Sequence, residues 1–223
     1  MTARLVLATH NVHKVGELRA VLAPEIRDLD PADVVSAADV GVPAPRENGV
    51  TFAANALIKA RAIAQATGLP AVADDSGLAV DVLGGAPGIF SARWAGSHGD
   101  DAANLALLLD QLSDVPAEHR GAQFVCAAAL VTPEGLEHVE EGVLRGTLAT
   151  APRGENGFGY DPVLVPDGDS RTSAELDPAE KNAISHRGKA FRALAPHIAR
   201  VLAARPAPAD DGETGSATAA RVT

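Results

Sequence analysis

The sequence predicts an α/β fold. The short apolar run Leu5–Ala8 has the length of a buried strand, and Asn11–Leu22 has the spacing of an amphipathic helix. A polar turn joins the two, and this strand, turn, helix order is typical of α/β proteins. Two long strands are also predicted, at about 122–132 and 136–149, because the residues between them form a typical hairpin turn.

The middle of the chain predicts a capped helix followed by short strands. Thr51 is a good N-cap for a helix that reaches about residue 67, and Gly68 and Pro70 supply its stop signal. Within this helix Asn55 and Lys59 are four residues apart, so their side chains share one face. Next, the segments 71–73 and 78–83 are predicted as strands on either side of a turn.

The remaining elements follow glycine and cap signals. A glycine-rich loop at 84–88 precedes a helix over about 102–112, and a second one at 154–162 leads into a strand at 163–165. Asp177 is expected to cap a short helix, and Ser185 to begin the last helix, which ends near Ala204. We expect one domain over 1–204 and a disordered tail over 205–223, because that tail has almost no large apolar residue.

Composition excludes several classes of function. The formal net charge of −10 argues against broad binding of nucleic acid or anionic membrane, although a local phosphate pocket is compatible with it. No segment approaches the roughly 20 apolar residues of a membrane span, and the N-terminal apolar run is too short for a signal peptide. The single cysteine, Cys126, lies in an apolar segment and is expected to be a core thiol. A cytoplasmic protein is therefore expected.

The densest group of oxygen ligands is Asp74-Asp75-Ser76-Gly77, directly after an apolar run. Mg²⁺ prefers one or two carboxylates together with water and substrate phosphate oxygens. The group therefore predicts a metal-dependent enzyme that acts on a phosphorylated substrate. Adjacent side chains of an extended chain point to opposite sides, so one aspartate is expected to face the metal, with Glu47 as the candidate second ligand. The alternative is an ordinary surface β-turn.

The loop before the first helix is a candidate phosphate site. The N-terminus of a helix favours an anion, Thr9 and Asn11 add hydrogen-bonding groups, and Lys14 adds a positive charge. Alternatively, Asn11 is a simple N-cap and Lys14 is solvated. A metal pair of His10 and His13 is disfavoured, because a loop does not ensure that both rings face one point. The loop matches neither the P-loop nor the Rossmann fingerprint.

Two further groups complete a nucleotide site. The run Phe158-Gly159-Tyr160-Asp161 offers aromatic rings to a planar ligand, or else forms a hydrophobic plug beneath a loop. Lys181, His186 and Arg187 add hydrogen-bond donors, although such a trio is often simply surface. Together with the carboxylates and the first loop, these groups supply metal ligands, phosphate cations, a stacking ring and donors for a base edge.

Four strings in order, at 73–80, 84–93, 157–162 and 181–188, resemble the non-canonical purine nucleoside triphosphate pyrophosphatases, the inosine triphosphatase or HAM1-like family. The resemblance spans about residues 4–203. It implies a long central mixed sheet flanked by helices, two lobes with an active-site cleft between them, and a homodimer. The implied activity is the Mg²⁺-dependent hydrolysis of inosine, deoxyinosine and xanthosine triphosphates to the monophosphate and pyrophosphate, which removes deaminated purines from the nucleotide pool.

The resemblance also implies roles for individual residues. Asp75 matches the proton acceptor, and Glu47 and Asp75 match the metal ligands. The residues that match substrate contacts are Thr9, His10, Asn11, Val12, His13, Lys14, Lys59, Ser76, Phe158, Gly159, Tyr160, Asp161, Lys181, His186 and Arg187. One departure is His10, which stands where many relatives have glycine.

Three other functions remain alternatives. A nucleotide sensor would bind in the same pocket without cleavage, but it would not need Glu47 and Asp75 as metal ligands. A Maf-like pyrophosphatase would act on canonical or modified pyrimidine nucleotides, and substrate profiling separates it from the first hypothesis. An RNA-binding protein fits poorly with the net charge of −10 and an aromatic content of 3 %.

Overall fold

A six-stranded mixed sheet with helices on both faces forms the fold. The computed structural model describes residues 3–9, 12–26 and 29–204. Its strands are β1 (Leu5–Leu7), β2 (Val34–Ser36), β3 (Ala71–Val80), β4 (Gly121–Val131), β5 (Glu137–Leu148) and β6 (Leu164–Pro166). Its α-helices are α1 (Val12–Glu25), α2 (Phe52–Thr67), α3 (Asp101–Gln111), α4 (Pro178–Ile184) and α5 (His186–Ala204).

The sheet has the strand order β2-β1-β3-β4-β5-β6. Strand β1 pairs in parallel with β2 and β3, and the other neighbouring strands are antiparallel. Helix α2 packs on one face through small residues, and α1 and α5 pack on the opposite face through larger apolar ones. The predicted α/β class, with a mixed sheet flanked by helices, is confirmed. None of the described helices combines the length and apolar character that a membrane span requires.

The predicted cap signals form as expected at α2 and α4. The Thr51 side chain accepts a hydrogen bond from the Ala54 amide, and Gly68 ends α2 with a φ of 67°. Asp177 and Glu180 form a capping box at the start of α4. Ser185 is the C-cap of α4, so α5 begins one residue later than predicted, at His186.

The prediction of two strands around an Asp-Asp-Ser-Gly turn was wrong. Strand β3 is continuous, and its pairing with β4 runs without a break from Ala71 opposite Val131 to Val80 opposite Ala122. Gly77 serves close packing: a Cβ at this position would collide with the Gly88 carbonyl oxygen and the Ser91 hydroxyl. The aspartates therefore lie in the middle of a strand, where neighbouring side chains point to opposite faces.

Helix α5 lies directly against β5. A Cβ on Gly142 would collide with the His186 carbonyl oxygen and would lie 2.6 Å from the Ala190 nitrogen. Only a glycine in β5 allows this close approach of the helix backbone. The contact falls at the first turn of α5, and so it sets the height of His186 and Arg187 above the sheet.

Candidate active site

A cleft of about 500 Å³ opens beside the middle of β3. Its walls come from the end of β1, from α2, and from the segments around 158–161 and 181–187. Of the sequence-predicted site residues, the wall includes Thr9, Glu47, Lys59, Ser76, Phe158, Gly159, Tyr160, Asp161, Lys181, His186 and Arg187. Asp75, the predicted catalytic residue, is not itself in this wall, but it pairs with Lys59, which is. Residues that are far apart in the sequence therefore meet in one cavity.

The predicted phosphate loop is described only in part. Leu7 lies opposite Val72 in the sheet, so β1 ends level with the start of the acidic motif and brings Thr9 to the cleft. Val12, His13 and Lys14 belong to the first turn of α1. His10 and Asn11 lie outside the described residues. The phosphate-binding role of this loop stays a prediction.

On the α2 side, two carboxylates surround one lysine. Lys59 Nζ lies 3.3 Å from a Glu47 oxygen and 3.6 Å from an Asp75 oxygen. Asn55, one turn earlier on α2, donates a hydrogen bond to the other Asp75 oxygen at 3.0 Å. Burial raises the pKa of the Asp75 carboxyl above its usual range, while Lys59 and Asn55 act to lower it. The predicted shared face of Asn55 and Lys59 thus points at Asp75.

On the opposite face of β3, Asp74 contacts Arg187. Arg187 Nε donates to an Asp74 oxygen at 3.2 Å, and the Ser76 hydroxyl donates to the same oxygen at 3.0 Å. His186, the preceding residue, stacks on the Phe124 ring of β4 with 4.9 Å between ring centroids. Strand alternation therefore places Asp75 with α2, and Asp74 and Ser76 with α5.

A buried carboxylate organises the second glycine-rich loop. Asp161 accepts a hydrogen bond from the Phe158 amide at 2.8 Å and pairs with Lys181 Nζ at 2.6 Å. Gly157 has a φ of 79°, and a Cβ there would collide with the Asp161 carboxylate. The Phe158 ring is 41 % exposed, and the cations of Lys181 and Arg187 lie 5.5 and 5.8 Å from its centroid. An exposed aromatic ring suits stacking against a planar ligand.

The two aromatic residues of this loop differ in their surroundings. Tyr160 is buried, its hydroxyl donates to the Ser91 carbonyl oxygen at 2.9 Å, and burial raises the pKa of its phenol. Tyr160 therefore anchors the loop, in agreement with the alternative prediction of a hydrophobic plug beneath it. Phe158 keeps an exposed face toward the cleft. The Gly159 amide donates to an Asp101 oxygen at 3.0 Å, which ties the loop to the start of α3.

Sequence analysis did not assign site roles to Asn55, Asp74 or Asp101. Asn55 could have been found, because it lies one turn before Lys59 on the same helix face. Asp74 could have been found from strand alternation, had β3 been predicted as continuous. Asp101 carries no such signal, because its contact with Gly159 joins residues 58 apart in the chain.

The chain resembles known proteins over most of its length. It matches the Ham1 family over residues 5–197. It is 65 % identical over 201 residues to a Streptomyces avermitilis protein named dITP/XTP pyrophosphatase, covering 89 % of this chain and 98 % of that protein. A Frankia alni protein of the same name is 57 % identical over 204 residues, covering 89 % of this chain and 98 % of that protein.

Solved structures show the same fold. The structure of a HAM1 protein from Coxiella burnetii has a TM-score of 0.80 at 42 % identity and covers 89 % of this chain and 100 % of that one. The crystal structure of a nucleoside-triphosphatase, or dITP/XTP pyrophosphatase, from Mycobacterium abscessus has a TM-score of 0.70 at 55 % identity. That match covers 86 % of this chain and 99 % of the other.

Proposed function

The chain belongs to the Ham1 family, and on that premise we propose that it hydrolyses inosine, deoxyinosine and xanthosine triphosphates to the monophosphate and pyrophosphate. One observation carries this proposal. A single cleft has Glu47 and Lys59 on one side, with Asp75 paired to Lys59 behind its wall, and an exposed Phe158 ring near Lys181 and Arg187 on the other. The first side suits a metal-bound triphosphate, and the second suits a base.

We propose Mg²⁺ as the cofactor, and the donor set fits it. Glu47 and Asp75 both pair with the Lys59 ammonium, at 3.3 and 3.6 Å, so the two carboxylates converge on one point and are the residues that would hold a cation. Mg²⁺ is commonly held by one or two carboxylates, several waters and substrate phosphate oxygens. Within residues 3–9, 12–26 and 29–204, no group of three or more His, Cys, Asp or Glu side chains is arranged as a metal cage. A bound Mg²⁺ would neutralise phosphate charge.

In the proposed mechanism, water attacks the α-phosphorus, the bond to the bridging oxygen breaks, and pyrophosphate leaves. Asp75 accepts the proton of the water as general base. Lys59 stabilises the negative charge of the phosphates, whereas Lys181, beside the Phe158 ring, belongs to the base side. Asn55 holds one Asp75 oxygen, which fixes the direction of the carboxylate. Lys14 is a further phosphate cation by prediction.

Base selectivity follows from hydrogen-bond polarity. Hypoxanthine and xanthine present a keto oxygen at position 6, whereas adenine presents an amino group. We propose that Arg187 and His186 donate toward this edge, so that adenine would set donor against donor. A site that pairs buried polar groups with its substrate discriminates by about 10⁴ or more.

The decisive experiment measures pyrophosphate release from inosine, xanthosine, adenosine and guanosine triphosphates with Mg²⁺. We expect fast release from the first two and none after chelation of the metal. Asp75→Asn should lower kcat by roughly 10³-fold, because the proton acceptor is lost together with a metal ligand. Asp110→Asn, the same exchange on the exposed end of α3, is the matched control and should keep the rate. Binding without release would instead favour a sensor, and release of orthophosphate would refute the assigned bond.

We also propose that two copies of the chain associate. In the part of the chain that the structure describes, β6 pairs with β5 only at Gly146–Leu148. The outer edge of residues 137–144 therefore has no strand beside it, although the Lys189 side chain donates to the Val143 carbonyl oxygen, and such an edge is a surface on which another chain can pair. Light scattering should give twice the mass of one chain, and a monomer mass would contradict the proposal.

A further inference from the structure

Asp74 is buried beside the cleft, and the proposed mechanism gives it no task. Its side chain is 2 % exposed, and its partner Arg187 is 8 % exposed. One oxygen of Asp74 accepts hydrogen bonds from both Arg187 Nε and the Ser76 hydroxyl. Charges buried this deeply are costly unless they neutralise each other. The pair is therefore a fixed unit within the wall of the cleft.

The two partners differ in rigidity. Asp74 lies opposite Ala128 in the continuous pairing of β3 with β4, so the backbone of the carboxylate is held by the sheet. Arg187 has a long side chain with many rotamers. Its guanidinium carbon lies 5.8 Å from the centroid of the exposed Phe158 ring, where a base would stack. The rigid carboxylate therefore fixes a flexible donor next to the base position.

We propose that Asp74 is a positioning residue for base recognition. By holding Nε of Arg187, it fixes the direction in which the terminal N–H groups of the guanidinium meet the 6-keto oxygen. This inference rests on the proposed function and on the assigned role of Arg187. The two neighbouring aspartates then serve different parts of one substrate, Asp75 the phosphates and Asp74, through Arg187, the base.

A double-mutant cycle tests this role. The measured quantity is the preference for inosine over adenosine triphosphate, expressed as the ratio of their kcat/KM values. Asp74→Asn should lower this ratio by about tenfold or more, mainly through KM for the inosine nucleotide. In an Arg187→Met background, the same exchange should leave the ratio unchanged, because coupled residues are not additive. A merely structural Asp74 would lower stability and slow both substrates equally.

The inference is overturned if Asp74→Asn preserves the ratio, or if it lowers the ratio equally with and without Arg187. Should Asp74→Asn fail to fold because it leaves a buried unpaired guanidinium, Asp74→Glu, which keeps the charge but displaces the guanidinium, takes its place with the same expected loss and the same refuting outcomes. Calorimetric binding of inosine and adenosine monophosphates gives the same preference without turnover. A wild-type protein that prefers neither base in hydrolysis or binding refutes the proposed function instead.

Discussion

The contact between Gly142 and α5 links stability to catalysis, and Gly142→Ala tests that link. The new Cβ would lie 2.6 Å from the Ala190 nitrogen and would overlap the His186 carbonyl oxygen, whereas ordinary contacts begin near 3.4 Å. Because these neighbours are backbone atoms, α5 has to retreat by on the order of 1 Å, and overpacking of this kind costs about 1–3 kcal/mol. The retreat carries His186 and Arg187 away from the cleft. A misplacement of about 1 Å can cost up to about 10²-fold in rate.

Gly146→Ala is the matched control. It lies on the same strand, and its Cβ would collide with the Val165 carbonyl oxygen of β6, away from α5. Urea denaturation should show that both variants lose stability. Steady-state kinetics with inosine triphosphate should show a loss of about ten- to a hundredfold in kcat/KM for Gly142→Ala alone. Equal kinetics for the two variants would refute the idea that this contact positions the base-recognition residues.

Two further predictions concern stability away from the cleft. Arg120 is buried and donates to the carbonyl oxygens of Leu112, Leu148 and Ala149 at 2.6, 3.0 and 3.1 Å. Urea denaturation of Arg120→Met should therefore show a free energy of unfolding that is lower by roughly 3 kcal/mol or more. A decrease of less than about 1 kcal/mol would contradict this. Hydrogen bonds from the Arg171 side chain and backbone lower the pKa of Asp169 to about 2. The ionised Asp169 carboxylate therefore stabilises the fold at pH values above the ordinary carboxyl pKa, and this stabilisation is lost as the pH falls through about 2. An NMR titration that gives an ordinary carboxyl pKa would refute the pairing.

The sequence predicts most of the fold because its cap and period signals are local. The N-cap at Thr51, the C-cap at Gly68 and the capping box at Asp177 each depend on a few neighbouring residues, and all three form. Strand β2, at Val34–Ser36, was not predicted, since its apolar run is only two residues long, shorter than the runs at 5–8 and 163–165 that predict β1 and β6. Gly77 in β3 led to the wrong prediction of a turn, because the sequence does not distinguish a glycine needed for close packing from one needed for a turn.

Site contacts between residues close together in the sequence could be predicted, whereas contacts between residues far apart in the sequence could not. Asn55 and Lys59 were expected to share a face, and both contact Asp75. No local sequence pattern indicates the hydrogen bond from the Gly159 amide to the Asp101 carboxylate. Pairing between Asp74 and Arg187 joins residues 113 apart, so only the packing of α5 against the sheet could reveal it.

The continuity of β3 decides how its acidic motif works. In a turn, Asp74 and Asp75 would both face solvent, and one metal site could recruit either of them. In a strand, alternation places Asp75 beside α2 with Glu47 and Lys59, on the proposed phosphate side, and Asp74 beside α5 with Arg187, on the proposed base side. In the proposed function, the two adjacent carboxylates therefore serve opposite ends of a nucleotide without competing for one cation.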